Sequence, residues 1–404
     1  MLVLKPGATA IIAIVFGEYV VRAAVGAEAE NASVWINKGV ALAGLAFVTL
    51  LNCISTKLGT RMGDFFMFFK FIALFGITVT GIVVAITGFS FKGTPNTDWK
   101  TIGWFDGTSS DPSSWAVALY AGLWAFDGWD NTNYVVGEFL EPHRDLPRVI
   151  HMAMPLVILC YLFASVAYIF VLPEAVIVSS NTIAVQFGSR VFGPIGSLIL
   201  ALIVSASCFG ALNATTFTSG RLVYAAGKEG FLPGILGHIG MPGSNEPVNR
   251  FQRKSWINRT MTNWIGDNEG GLGFTPINAM VANAVLTAAY VVVGEFGTLV
   301  TFYGVAGYTF YFLTVLGLIV LRVREPYLER PYRTWLSTPI IFCCVSLFLL
   351  SRAIFAKPFQ AIVVVAFIAA GVPVYFLRVR GRNGRRKGDE EGWKFWRRWG
   401  RGQV

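Results

Sequence analysis

Two carboxylates, Asp127 and Asp130, lie within an otherwise apolar run at residues 121–131, whose sequence is AGLWAFDGWDN. On insertion scales an aspartate at the centre of a bilayer costs about 2.5–3.5 kcal/mol, so an unbroken lipid-facing helix that carries both is unfavourable. Gly128 lies between them and favours an interruption of the helix near residues 125–130. The backbone groups freed by a broken helix line a cavity and bind the charged groups of a zwitterionic solute. The alternative is a polar patch that holds a neighbouring helix and binds no solute.

Three aromatic residues flank these carboxylates and would supply apolar walls for a fairly large, neutral solute. The sequence therefore predicts a solute-binding site at the helix break. Its predicted residues are Trp124, Phe126, Asp127, Gly128, Trp129 and Asp130.

Lys70 is the second candidate for a functional role, because it alone among the lysines and arginines lies within a predicted membrane span and away from the span's ends. It lies in the sequence FFKF, about two helical turns from the inner end of its span. One interpretation is that its side chain extends to the cytoplasmic interface. The other is an inward-facing ammonium that takes the place of a bound cation, in which case transport would not need sodium.

Small and hydroxyl-bearing residues are concentrated at positions 205–216, and the sequence YGVAGY occupies positions 303–308. Such residues permit close helix packing and hydrogen bonds between helices, and that is the simpler interpretation. The alternative is that they line a path for a solute. The predicted gating or coupling residues are Lys70, Ser207, Asn213 and Tyr308.

Membrane-spanning helices must position these residues. The 404-residue chain is 54% hydrophobic and 14% charged, whereas about 25% of residues are charged in an average soluble protein. The apolar runs are continuous rather than alternating, which favours an all-α, polytopic membrane bundle over a β-barrel. About ten stretches are long enough to span a bilayer: roughly 8–25, 37–54, 64–89, 114–137, 149–172, 193–216, 276–294, 299–322, 337–354 and 359–378.

The net charge of +10 is explained by membrane topology. With both termini in the cytoplasm, about 25 of the 33 lysines and arginines lie on the inner side, as the positive-inside rule requires. We expect a membrane domain at residues 1–378, with a cytoplasmic loop insertion at 239–275. The basic tail at 379–404, which contains several tryptophans, is expected to contact the anionic inner leaflet rather than nucleic acid.

Signatures of catalysis or metal binding are missing from the sequence. The five cysteines form no CxxC pair, the three histidines are scattered, and neither a P-loop nor a nucleophile elbow occurs. We therefore expect a protein that is not an enzyme and that holds no cofactor or metal.

Several motifs resemble the L-type amino acid transporters of the amino acid–polyamine–organocation superfamily. The sequences GLWAFDGW at 122–129 and EFLEPHRDLP at 138–147 resemble the sixth helix of that family and the loop after it. Residues 207–210 together with 217–222 resemble its eighth helix and the cytoplasmic end of that helix, and 324–333 resemble the loop after its tenth. The resemblance extends from about Lys5 to Leu377. Asp127 and the Asp130-Asn131 pair are most similar to the fungal branch, which includes methionine permeases.

This resemblance implies a LeuT-like inverted-repeat bundle in the plasma membrane. It also implies sodium-independent transport, by alternating access, of neutral amino acids that are large or contain sulfur. Trp124 would match an aromatic gate, and residues 127–130 the unwound segment around the substrate amino group. Lys70 would match a lysine that replaces sodium, and Asn213 a polar position on the eighth helix.

The sequence differs from the family pattern in two places, and each difference leads to an expectation. Lys5-Pro6 aligns within the third helix of the family, so the first two helices, one of which binds the substrate carboxylate, would be truncated from this chain. The outer loop at 26–36 lacks the cysteine with which animal members bond a heavy chain, so no disulfide-linked heavy chain is expected. The alternatives are a non-transporting relative, such as a sensor or an incomplete gene product, and a channel or scaffold.

Overall fold

A computed structural model describes residues 4–26, 33–91, 96–103, 105–240, 275–330, 332–356 and 358–376, and every regular element in these ranges is helical. Most of the predicted loop insertion, residues 241–274, and the basic tail at 379–404 lie outside the described residues. The helices are α1 (Leu4–Val25), α2 (Val34–Ile54), α3 (Thr56–Thr87), α4 (Asp98–Thr101), α5 (Pro112–Ala125), α6 (Asn131–Tyr134), α7 (Pro142–Val171), α8 (Glu174–Ser179), α9 (Ile183–Lys228), α10 (Ile277–Val293), α11 (Phe296–Arg324), α12 (Ser337–Ala356) and α13 (Pro358–Val374). Single 3₁₀ turns occur at Val136–Glu138 and Gly234–Gly237.

The predicted membrane spans coincide with helices. Within the described ranges seven helices are long and apolar enough to cross a bilayer, namely α1, α2, α3, α7, α9, α11 and α12, and the apolar helices α10 and α13 are shorter. The prediction of an all-α, polytopic bundle is confirmed. The fourth predicted stretch, 114–137, differs from the others because its helix α5 ends at Ala125.

Large apolar side chains point outward along the spanning helices. On α3, Phe68, Ile72 and Phe75 are 66–72% exposed. In water such a surface would be unfavourable, but in hydrocarbon these side chains need no protein partner.

Helix α1 lies at the centre of one packing group, where it contacts α2, α9, α10 and α11. Its small side chains make this possible, because Ala10 and Ala13 are completely buried and allow the neighbouring backbones to approach. The cluster continues through Leu45 of α2 and Leu212 of α9.

A second packing group surrounds α5, which contacts α11 and α12. Here Tyr120 of α5 packs with Val305 of α11 and Leu349 of α12. Helix α11 belongs to both groups, since its residue Tyr303 is buried in the cluster around α1. Residues on α11 can therefore contact both α1 and the segment that follows α5.

Helix α9 is interrupted near its start, where Gly193 has non-helical backbone angles (φ 71°, ψ −156°) and Pro194 follows. The sixth predicted span begins at this interruption. Before it, Phe187 is buried against α3 and α7 through Ile77 and Val171.

Candidate functional site

The predicted helix break is present at the end of α5. The helix begins at an N-cap, Asp111, whose carboxylate accepts hydrogen bonds from the backbone amides of Ser113 and Ser114. It has 14 residues and is therefore about 21 Å long, less than the roughly 30 Å of a hydrocarbon core. Turns occupy residues 126–130 before the short helix α6, so the polypeptide is irregular where the sequence places its two carboxylates.

Gly128 allows the chain to change direction inside this break. Its φ is +108°, a conformation that residues with a Cβ rarely adopt. On either side the backbone forms single turns, from the Asp127 amide to the Trp124 carbonyl (3.0 Å) and from the Asn131 amide to the Gly128 carbonyl (3.0 Å). The reversal gives Asp127 and Asp130 different neighbours.

The Asp127 carboxylate faces α11. Its Oδ2 accepts a 2.9 Å hydrogen bond from the Tyr303 hydroxyl. Lys5 is close enough to Asp127 to interact electrostatically, but the ion pair that Lys5 forms is with Asp130.

Asp130 is 5% exposed, and three groups surround its Oδ2. The Lys5 ammonium lies 3.4 Å away, the Tyr311 hydroxyl donates over 3.1 Å, and the Tyr134 hydroxyl also donates. The Oδ1 atom is buried and accepts no hydrogen bond from the described residues. A buried carboxylate is tolerated only when charges and donors compensate it in this way.

Lys5 is itself 5% exposed and depends on the same segment for its partners. Its Nζ donates to Asn131 Oδ1 over 3.1 Å and lies 4.5 Å from the centre of the Tyr134 ring. The cluster therefore contains one ammonium and two carboxylates.

Aromatic rings enclose the break. Trp124 packs edge-on against Phe296 with ring centres 5.5 Å apart, Phe126 lies 5.3 Å from Tyr161, and Trp129 lies 5.5 Å from Tyr311. Between α5 and α11 a cavity of about 20 Å³ remains, lined in part by Asp127 and Tyr308. That volume holds about one water molecule.

A larger groove, about 850 Å³, lies elsewhere, between α2 and α10. Its walls are almost entirely aliphatic, including Leu42, Leu45, Val281 and Val285. It contains no charged residue that would hold a zwitterion, so the smaller cavity beside Asp127 is the better candidate site despite its size.

The four predicted gating or coupling residues occupy different places. Tyr308 lines the cavity and packs edge-on against the rings of Tyr120 and Tyr311. Asn213 forms no hydrogen bond with the cluster among the described residues: its amide donates to the Gly59 carbonyl (2.7 Å) and its oxygen accepts from Asn52 (2.8 Å), which joins α9 to α2 and α3.

Lys70 of α3 and Ser207 of α9 are both partly buried, on two helices that pack against each other. The Cys208 thiol lies close enough to the Lys70 ammonium to interact with it electrostatically. Among the described residues, Lys70 forms no ion pair with Asp127 or Asp130.

Four residues of the cluster were not predicted as partners of the two aspartates: Lys5, Tyr134, Tyr303 and Tyr311. Lys5 precedes the first predicted stretch, but the structure includes it in α1, so the expectation that Lys70 alone lies within a span is wrong. The spacing of Tyr303 and Tyr311 indicates that the two lie close together, because positions eight apart fall on the same face of a helix. No such signal relates either tyrosine to the aspartates.

A bundle of membrane-length apolar helices, with an acidic helix break buried among them, is the architecture of a polytopic membrane transporter. The chain matches the profile of the amino acid permease family over residues 2–377 and belongs to that family.

Two groups of relatives support this assignment. The b(0,+)-type amino acid transporter 1 of Mus musculus is 33% identical over 380 residues, which are 94% of this chain and 70% of the relative. The protein of the same description from Homo sapiens is 33% identical over 386 residues, 95% of this chain and 71% of the relative. The large neutral amino acids transporter small subunit 2 of Homo sapiens is 33% identical over 335 residues, 83% of this chain and 56% of the relative.

Proposed function

We propose that this chain moves neutral amino acids, large or sulfur-containing, across the plasma membrane by alternating access and without sodium. The observation that carries the proposal is the interruption of α5 at Ala125, which leaves a helix end and the Asp127 carboxylate beside a cavity. Membership of the amino acid permease family supports an amino acid as the solute.

The substrate ammonium would bind at the end of α5. The C-terminus of a helix carries a partial negative charge, to which Asp127 adds its own. Asp130 would contribute less to this charge, because Lys5 pairs with it. Gly128 keeps the backbone accessible there, while Trp124, Phe126 and Trp129 provide the apolar walls for a large side chain.

Binding requires movement, because a cavity of about 20 Å³ is too small for an amino acid. Separation of α5 from α11 would enlarge it, and the Trp124–Phe296 contact would open or close as a gate. Rocking of one helix group against the other would expose the site alternately to each side of the membrane, with no chemical change in the substrate.

Sodium independence is assigned to Lys70, whose fixed ammonium would take the place of a bound cation near Ser207. The hydrogen bonds of Asn213 would keep α9 attached to α2 and α3 during the movement. Tyr308 would line the path of the substrate. The proposed topology has both termini in the cytoplasm, a membrane domain at 1–378, a loop insertion at 239–275 and a tail at 379–404 on the anionic inner leaflet.

Uptake of radiolabelled methionine and leucine by vesicles that contain this chain alone tests the proposal. We expect uptake above that of empty vesicles, and the same rate of uptake when choline replaces sodium. If the chain belongs with the fungal methionine permeases, unlabelled methionine should inhibit the uptake of labelled leucine more strongly than unlabelled leucine inhibits the uptake of labelled methionine. Activity without a second chain would also support the expectation that no disulfide-linked heavy chain is needed.

The matched variants are Asp127→Asn and, as a control, Asp106→Asn. Asp106 is an exposed carboxylate that accepts a hydrogen bond from the Gly103 amide, outside the cavity. We expect the first to lower uptake strongly and the second to leave it near the wild-type rate. Binding without uptake would indicate a sensor, ion current would indicate a channel, and absence of both binding and uptake would reject the proposal.

A further inference from the structure

We infer that Lys5 is a positioning residue: by pairing with Asp130 it fixes the polypeptide after the helix break and leaves Asp127 as the carboxylate available to substrate. This inference rests on the proposed function, since a positioning role needs a substrate site to position. It gives the two aspartates separate roles that their sequence spacing does not distinguish.

Both members of the pair are buried. Lys5 and Asp130 are each 5% exposed, and lysine is almost never so deeply buried unless it is paired. Removing one partner of a buried pair leaves the other charge without compensation. Each of these residues therefore depends on the other.

The contacts of the Lys5 ammonium point toward the segment after the break. The Lys5 ammonium reaches Asp130 (3.4 Å), Asn131 (3.1 Å) and the Tyr134 ring (4.5 Å), which all belong to one stretch of five residues. The side chain thus holds the whole of α6 and the last residue of the break at a fixed place on α1.

The packing of the two helix groups places this pair between them. Helix α1 contacts α2, α9, α10 and α11, whereas α5 contacts α11 and α12. The Lys5–Asp130 pair therefore connects a helix of the first group to the segment that leaves a helix of the second. Movement of α5 relative to α1 would act directly on this pair.

The two carboxylates differ in their surroundings. Asp130 Oδ2 is contacted by Lys5, Tyr134 and Tyr311. Asp127 borders the cavity and, among the described residues, accepts a hydrogen bond from one side chain, that of Tyr303. Asp130 therefore holds the segment in place, and Asp127 is the carboxylate that faces a ligand.

A double-mutant cycle tests this inference on the full chain, with Lys5→Met, Asp130→Asn and the combination of the two. Uptake kinetics in vesicles and thermal unfolding in detergent are measured for each. We expect either single substitution to lower Vmax/KM by about tenfold or more, and the combination to lower it less than either single one, because it removes both charges. Lys5→Arg, which keeps the charge, should retain more activity than Lys5→Met.

Lys38→Met is the matched control. Its ammonium donates to the Val292 carbonyl over 2.8 Å at an exposed position, and its loss should change Vmax/KM by less than about twofold.

The outcomes separate this inference from the proposed function. Uptake by the wild-type chain with additive effects in the cycle would overturn the pairing, and coupled unfolding with unchanged uptake kinetics in Lys5→Met would overturn the positioning role. Absence of wild-type uptake would overturn the proposed function and the positioning role with it, while the unfolding cycle would still decide whether the ion pair contributes to the fold.

Discussion

Tyr303 and Asp127 are 176 positions apart in the sequence, yet the tyrosine hydroxyl donates a 2.9 Å hydrogen bond to the carboxylate. The bond connects α11 to the break that follows α5. Tyr303 is 8% exposed, so water does not readily replace this donor. The orientation of the carboxylate at the candidate site thus depends on a helix far along the chain.

Replacement of Tyr303 by phenylalanine removes this donor and keeps the ring. Because a hydrogen bond to a charged group contributes about 1.5–3 kcal/mol, we expect the free energy of unfolding to fall by that amount and substrate affinity to decrease. Thermal unfolding and equilibrium binding of radiolabelled leucine measure the two effects. Tyr290→Phe on α10 is the control, since its hydroxyl has no hydrogen-bond partner among the described residues; equal losses in both variants would contradict the assigned role.

Gly128→Ala tests the conformation of the break. With φ at +108°, a Cβ at this position introduces backbone strain of about 1–3 kcal/mol. We expect reduced stability and a larger reduction of uptake, since relief of the strain would displace Asp127. Gly122→Ala, six residues earlier in α5, meets no atom within 4 Å and should be neutral or stabilising. An unimpaired Gly128→Ala variant would show that the positive φ is dispensable.

Gly304→Ala tests the close approach of α5 and α11. A Cβ at position 304 would lie 2.6 Å from the Tyr120 ring, so the two helices would have to separate. Overpacking of this kind costs about 1–3 kcal/mol, and the thermal midpoint in detergent should fall. Gly317→Ala on the same helix meets no atom within 4 Å and provides the comparison. If both variants unfold alike, the two helices do not depend on this contact.

Asp111 should make stability depend on pH. The backbone amide of Ser113 donates a hydrogen bond that, together with the amide and hydroxyl of Ser114, lowers the pKa of this carboxyl below its ordinary value. A lowered pKa in the folded state means that the stabilisation is complete above the pKa of the unfolded chain, about 3.9, and is lost as the pH falls through the folded value. Asp111→Asn retains a cap that does not titrate. The difference in thermal midpoint between wild type and variant should therefore be greatest near neutral pH and should disappear in acid; a difference independent of pH would refute the assignment.

Much of the fold could be predicted because its signals are local. About twenty consecutive apolar residues specify a membrane helix wherever they occur. The break at 125–130 was predictable for the same reason, since two aspartates and a glycine within four positions oppose a continuous apolar helix. The motifs around it were also sufficient to indicate the family, which the match over residues 2–377 establishes.

The partners of the break could not be predicted in this way. Lys5 reaches Asp130 across 125 positions, and no periodicity relates residues so far apart. Asn213 illustrates the same limit, because its position among small residues is compatible with lining a path, whereas the structure gives it hydrogen bonds to Gly59 and Asn52.

The sequence by itself determined that this is a membrane bundle, where its helices lie, and that one of them breaks at Asp127 and Asp130. Tertiary structure decided which aspartate is neutralised and which faces the cavity. The physical reason is that a buried carboxylate is defined by the donors and cations around it. Around Asp130 only Tyr134 is near in the chain, whereas Lys5 of α1 and Tyr311 of α11 are brought there by packing.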